Sequence, residues 1–206
     1  MIGIIDYDAG NMKSVEKALQ FLGEETVVTR DREKLLSADH VILPGVGSFG
    51  DAMERLSEYG LIPVIHEIVD AGTPFLGICL GLQLLFESSE ESPGVRGLGL
   101  LPGKILRIPP AEGLKIPHMG WNSLHFPRKG RLFKGLPEET YAYFVHSYYL
   151  QAEDPEIVAA ETTYGVTIHA SVEKDNLFAC QFHPEKSSTA GLSMLKNFAS
   201  IGKEEI

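Results

Sequence analysis

Short apolar runs alternate with amphipathic helical stretches through the first half of the chain, and that alternation admits few folds. Residues 2–5 are an apolar run closed by Asp6 and Gly10, and Asn11 then stands where a helix is capped, ahead of Val15, Ala18, Leu19 and Leu22, with Gly23 as the stop. Residues 27–29 and 40–43 read as strands, the second ended by Pro44, and 61–71 reads as a helix ended by Gly72. Residues 75–79 form a buried strand that runs straight into a helix over 80–87. Strands that are apolar throughout need cover on both faces. The expected class is therefore α/β, a three-layer, flavodoxin-like mixed sheet, mostly parallel, with helices on both faces.

From 94 to 163 the pattern changes to short segments broken by Gly and Pro (98–108, 116–121, 141–150 and 157–163), which read as antiparallel strands and loops. Residues 177–182 read as one more buried strand and 191–199 as the closing helix. With no repeat, low-complexity tract or linker, residues 1–206 are expected to form a single domain.

Charge and cysteine usage narrow the function classes. A formal net charge of -10 opposes the electrostatics that hold a protein on nucleic acid, so no nucleic-acid partner is expected. The opening residues lack a basic stretch followed by an apolar one, and no apolar run reaches the roughly 18 to 20 residues that span a bilayer. A cytoplasmic location away from membranes follows as the expectation. Cys79 and Cys180 lie in apolar runs without C-x-x-C or Cys/His zinc spacing, so neither a structural disulfide nor a metal is expected. Each cysteine is then either inert filling or a reactive thiol.

Gly77-Ile78-Cys79-Leu80-Gly81 has the form G-x-C-x-G at a strand-to-helix junction, the setting of a nucleophile elbow. Cysteine on such a sharp turn sits in a strained conformation, and neighbours two positions away pack so closely that glycine is needed. The helix starting at Leu80 would also turn its positive end toward the sulfur and favour thiolate. Read alone, the segment fits a small buried cysteine in a packing turn equally well. A nucleophile further needs a base and oxyanion donors.

His183-Pro184-Glu185 supplies a candidate base at the end of the strand over 177–182. Pro184 biases His183 toward an extended conformation, in which residues i and i+2 project to one side. Glu185 can then accept from one ring nitrogen and leave the other for the thiol. Alone, the tripeptide also reads as chain punctuation; beside the cysteine elbow, the triad reading prevails.

The loop Pro44-Gly45-Val46-Gly47 follows the strand over 40–43, and an N–H from Gly45, Val46 or Gly47 together with that of Leu80 is the candidate oxyanion hole. The loop lacks G-x-x-x-x-G-K-[ST], so no phosphate cradle, and no cofactor, is expected. Gln83 stands one helical turn after Cys79, where its amide can bind an amino-acid ligand or simply meet solvent. His146, Ser147 and Tyr148 concentrate hydrogen-bonding groups that can line the same pocket, or belong to an ordinary half-buried strand.

The Pro-Gly-Val-Gly loop at 44–47, G-x-C-x-G-x-Q at 77–83 and His-Pro-Glu at 183–185, in this order, resemble the class I (triad) glutamine amidotransferases over nearly the whole chain. Finer marks resemble the glutaminase subunits of imidazole glycerol phosphate synthases: the PGVG form of the first loop, Pro117-His118-Met119-Gly120-Trp121-Asn122, the stretch 143–148, and HPEKSS at 183–188. The resemblance implies a Cys79 thioester, His183 as proton donor and then base, and Glu185 as its orienter. It implies the class I amidotransferase fold, no cofactor, L-glutamine as substrate, and a heterodimer with a (β/α)8-barrel cyclase subunit that receives the ammonia. Met119, Trp121 and Asn122, with Asn11 and Lys186, would face that partner, although core packing also accounts for a lone tryptophan. Competing readings are an amidotransferase serving another synthase, a thiol hydrolase acting on other amides, and a non-catalytic sensor with an exposed cysteine. The 117–122 segment argues against the first and His-Pro-Glu against the last.

Overall fold

A computed structural model describes residues 1–202. In chain order the strands are β1 (Ile2–Ile5), β2 (Thr26–Thr29), β3 (His40–Leu43), β4 (Phe75–Ile78), β5 (Ser88–Ser89), β6 (Gly103–Arg107), β7 (His118–Leu124), β8 (Thr140–His146), β9 (Tyr148–Ala152), β10 (Val158–Tyr164), β11 (Val166–Lys174) and β12 (Leu177–Cys180). The helices are α1 (Met12–Phe21), α2 (Arg32–Leu36), α3 (Phe49–Glu58), α4 (Leu61–Asp70), α5 (Leu80–Leu84) and α6 (Ser188–Ser200). Seven strands form the central sheet in the order β10-β11-β12-β4-β3-β1-β2, parallel from β12 to β2 and antiparallel at the β10-β11-β12 edge.

Alternate residues of the central strands enter two separate cores, which is why these strands are apolar throughout. Val41 and Leu43 of β3 and Phe75 of β4 join Phe49, Leu56, Val64 and Ile68 from α3 and α4 on one face. Ile42, Leu76 and Ile78 join Val15 and Leu19 of α1 and Leu195 and Phe198 of α6 on the other. Full burial of one such Leu, Ile or Phe stabilises the fold by about 1.5–3 kcal/mol.

Where β12, β4 and β3 lie side by side and run the same way, their C-terminal ends open together at one edge. The loops that follow them carry His183, Cys79 and Gly45, so the three sequence motifs meet there. The two-stranded sheet β7-β8 and the three-stranded sheet β5-β6-β9 account for the β-rich middle of the chain.

Several expectations need correction. The helix after Cys79 ends at Leu84 rather than near residue 87, because the chain turns to form β5 and to pair Phe86 and Glu87 with the segment 97–103. Asn11 does not cap α1; its backbone is left-handed (φ 75°) and its side chain makes no bond to the helix. Neither α3 nor β11 was expected. In α3, Ser48 caps the helix by accepting from Asp51 N–H, and Phe49, Ala52, Met53 and Leu56 form its buried stripe.

Candidate active site

Cys79 occupies φ 56°, ψ -109°, a conformation strained for any residue with a Cβ. The elbow is enforced by its glycines: a Cβ on Gly81 would lie 1.9 Å from the Leu43 carbonyl oxygen, and one on Gly77 would lie 2.7 Å from that of Gly81. The Cys79 N–H is tied to the Cys180 carbonyl at 2.8 Å, and Gln181 Nε2 approaches its Sγ at 3.8 Å. With α5 only five residues long, the elbow geometry rather than a helix macrodipole defines the sulfur's setting.

His183 lies at the end of the neighbouring strand, its ring buried and its Nδ1 2.8 Å from Glu185 Oε1. With the carboxylate oxygen as acceptor, Nδ1–H donates and Nε2 is left as the free end. That Nε2 is buried and has no hydrogen-bond partner of ordinary geometry among the described residues. Burial pulls the His183 pKa down, but the interaction with the adjacent Cys79 sulfur and then with the Glu185 carboxylate outweighs it and holds the pKa up at about 9. His183 is extended as expected (φ -101°, ψ 98°), but Pro184–Lys186 then form a 3-10 turn instead of continuing the extended chain, and this still brings the carboxylate back to the ring. Asn11 Nδ2 donates to the same Oε1 at 2.5 Å, a contact that sequence reading missed because the two residues lie 174 positions apart. Its 3.4 Å approach to Nδ1 is then an approach of two donors rather than a bond.

Cys79 and His183 border a cavity of about 360 Å³ whose wall includes Val46, Gly47, Leu80, Gln83, His146, Ser147 and Tyr148. Gly45 lies just behind that wall, where a Cβ would come within 2.2 Å of the Tyr7 hydroxyl oxygen. The expected oxyanion pair is not assembled, because Leu80 N–H donates to the Gly45 carbonyl at 3.3 Å. Gln83 is not solvated: its Nε2 donates to Tyr148 O (3.1 Å) and Gln181 Oε1 (3.0 Å). The His146 ring cannot offer a nitrogen to a ligand as expected, since Nδ1 bonds Tyr148 O and Nε2 meets His118 Nδ1. Two residues were not expected in this wall, Glu91 and Pro117, the latter noted in the sequence only as part of the 117–122 mark. Glu91 Oε2 accepts the Phe49 N–H at 2.8 Å, and nothing in its local sequence marks it. A second cleft of about 450 Å³, lined by Arg128, Arg131, Glu173 and Lys174 among others, holds charged groups but no nucleophile.

Outside the cavity, Met119 and Trp121 are 62% and 54% exposed on one face of β7, Asn122 and Asn11 are half-buried, and Lys186 is exposed. The tryptophan is therefore not core filling. Tyr143 packs its ring edgewise against Trp121, and its carbonyl accepts the His183 N–H at 2.9 Å, so this surface adjoins His183.

The family described as glutamine amidotransferase class-I matches residues 3–201. The chain belongs to this family. Among class-I relatives, the imidazole glycerol phosphate synthase subunit HisH of Moorella thermoacetica is 53% identical over 97% of this chain and 94% of its own length. The subunit of the same name from Methanothermobacter thermautotrophicus is 50% identical over 98% of both. Fold similarity extends to a glutamine amidotransferase crystal structure (TM-score 0.74, 21% identity, 96% of this chain and 98% of that one). It extends also to PurLQS from Thermotoga maritima (TM-score 0.72, 22% identity, 97% of each).

Proposed function

We propose that this chain is the glutaminase subunit of an imidazole glycerol phosphate synthase, working as one catalytic domain through Cys79, His183 and Glu185. The observation that carries the reading is a strained cysteine beside a buried histidine whose second nitrogen is held by a carboxylate. Cys79 gives its thiol proton to His183 Nε2 and its Sγ attacks the side-chain carboxamide carbon of glutamine; the oxyanion collapses as that Nε2–H protonates the departing ammonia. The glutamyl thioester that remains is hydrolysed by a water that gives its proton to Nε2, releasing glutamate and the free thiol. Glu185, steadied by Asn11, keeps Nδ1–H pointed inward through both steps. The oxyanion donors are Leu80 N–H and an N–H of the 45–47 loop; substrate oxygen must displace the Gly45 carbonyl before Leu80 can donate to it. Gln83, Ser147 and Tyr148 line the glutamine pocket.

The ammonia goes to a (β/α)8-barrel cyclase subunit, docked over Met119, Trp121, Asn122, Asn11 and Lys186, in the cytoplasm. There it completes imidazole glycerol phosphate and an aminoimidazole carboxamide nucleotide. Sealed transfer has a chemical reason, since ammonia in water at neutral pH is mostly ammonium, which has no lone pair to attack with. No helix among the described residues is long and apolar enough to cross a membrane.

The deciding experiment is glutamate release from glutamine by the purified chain, alone and mixed with the cyclase subunit and its nucleotide ligand. Strong stimulation by the mixture supports both assignments. Activity indifferent to the cyclase removes the partner, and no glutamate from folded protein in either condition removes the glutaminase.

A further inference from the structure

Behind the glutamine cavity, β7 and β8 place two buried histidines opposite each other, His118 and His146, which are register partners. Neither belongs to the triad. His146 Nδ1 lies 2.8 Å from the Tyr148 carbonyl oxygen, which can only accept, so Nδ1 carries the proton. In the neutral ring Nε2 is then an acceptor. His118 Nδ1, 2.9 Å from it, must donate. His118 Nε2 is left to accept from Asn122 Nδ2 at 3.3 Å. Asn122 is oriented by its own bonds, Nδ2 to Thr163 O at 3.0 Å and Oδ1 from Ser123 N–H at 2.9 Å. Every proton in the row is thus assigned from its ends, and all donate in one direction, from Asn122 toward Tyr148.

The row resists an extra proton: on His146 Nε2 it would meet the His118 Nδ1–H head-on at 2.9 Å, and on His118 Nε2 it would face the Asn122 amide N–H at 3.3 Å. Burial agrees, lowering the pKa to about 4 at His118 and about 3 at His146. Stacking fixes the His118 ring between Phe144 (centroids 4.8 Å apart) and Tyr164 (4.0 Å). At its inner end the row reaches the substrate cavity. The Tyr148 carbonyl spends one lone pair on His146 and accepts Gln83 Nε2 on the other at 3.1 Å. Gln83 Nε2 also donates to Gln181 Oε1, and Gln181 Nε2 approaches Cys79 Sγ. With both Nε2 protons committed, Gln83 presents its Oε1 as the open end of the amide.

We propose that His118 and His146 are positioning residues of the glutaminase reaction, a one-directional hydrogen-bond relay that holds the Tyr148 carbonyl, and through it the Gln83 carboxamide, in the orientation that receives glutamine. This rests on the glutaminase reading above. A reversed tautomer at His146 would set a nitrogen lone pair against the carbonyl oxygen and release Gln83.

Two measurements on the full chain test it. Nitrogen-15 NMR of the wild type should read both rings as the neutral Nδ1–H tautomer, the less common one for histidine in water; Nε2–H at either ring overturns the relay. In steady-state kinetics with the cyclase partner, His118→Phe keeps an aromatic ring in the stack but removes the donor. It should raise KM for glutamine roughly tenfold, the scale of a buried acceptor left unpaired, with kcat within about twofold. His118→Asn, whose Nδ2 takes the place of Nδ1, should recover most of that loss. An unchanged KM in His118→Phe, or an Asn variant as impaired as Phe with both folded, overturns the role. Should His118→Phe fail to fold, the wild-type tautomers decide. Wild-type protein that releases no glutamate with its partner sinks the glutaminase reading instead, and the spectrum still judges the relay.

Discussion

Cys79 shows how much chemistry one backbone conformation can impose. Its φ of 56° holds the sulfur at a strand end against a cavity, where His183 can reach it. On the proposed reading, replacing it with alanine should abolish glutamine-dependent synthesis in the complex while leaving synthesis from added ammonium salts, because the cyclase chemistry would lie on the other subunit. Loss of both activities together would argue that the glutaminase is not separable. At the base, His183→Ala should cost on the order of a thousandfold in kcat, and Glu185→Gln distinctly less, since an orienter contributes less than the base it orients. Equal losses would give Glu185 a different role. Cys79, His183 and Glu185 could be singled out as candidates because each sits in a short local motif. The contacts of Asn11 with Glu185 and of Gln181 with Gln83 could not, since they join residues 174 and 98 positions apart.

At the level of elements, the strand-to-helix junction over 75–84 is the piece that tolerates least. Gly81→Ala drives a Cβ to within 1.9 Å of a backbone oxygen that belongs to β3 and cannot retreat without unpairing the sheet. The expected cost is at least ~2 kcal/mol, read as a lower denaturant midpoint. Gly47→Ala meets open space and only the strain of φ 106°, so it should cost nearer ~1 kcal/mol. Reversal of that order would mean the elbow is not packed as described. Strand β4 and helix α4 could be recognised from apolar runs with clear stops. Helix α3 was hidden because its first turn overlaps the glycine-rich loop before it, and β11 because its burial pattern mixes buried and half-buried positions without strict alternation.

Across the whole molecule, buried histidines make stability depend on pH with two opposite signs. His118 and His146 have folded pKa values of about 4 and about 3, below the ordinary 6.5, so the unfolded chain binds more protons in between. Their contribution is present in full above about pH 6.5 and is lost as pH falls toward those values. His183, raised to about 9, contributes stability that is full below about 6.5 and lost as pH rises through 9. The thermal midpoint should therefore decline on both sides of neutrality, and His118→Phe should flatten the acid side. An acid limb unchanged by that substitution would assign it to the carboxylates instead.

The sequence alone determined the α/β class, the mostly parallel sheet, the elbow around Cys79 and the nearness of Glu185 to His183, because each is a matter of local periodicity, glycine geometry or adjacent residues. Tertiary structure decided what these pieces face. The order β12-β4-β3 brings their loops together, Gly45 occupies the Leu80 N–H, and Asn11 leaves its helix end for Glu185. Likewise His146, expected to line the pocket or to belong to an ordinary half-buried strand, has both ring nitrogens engaged, one of them with His118 across the strand pair. The physical reason is common to all of these: a side-chain polar group takes its partner from whatever the packed sheet delivers within hydrogen-bond distance, and that neighbour lies far away along the chain.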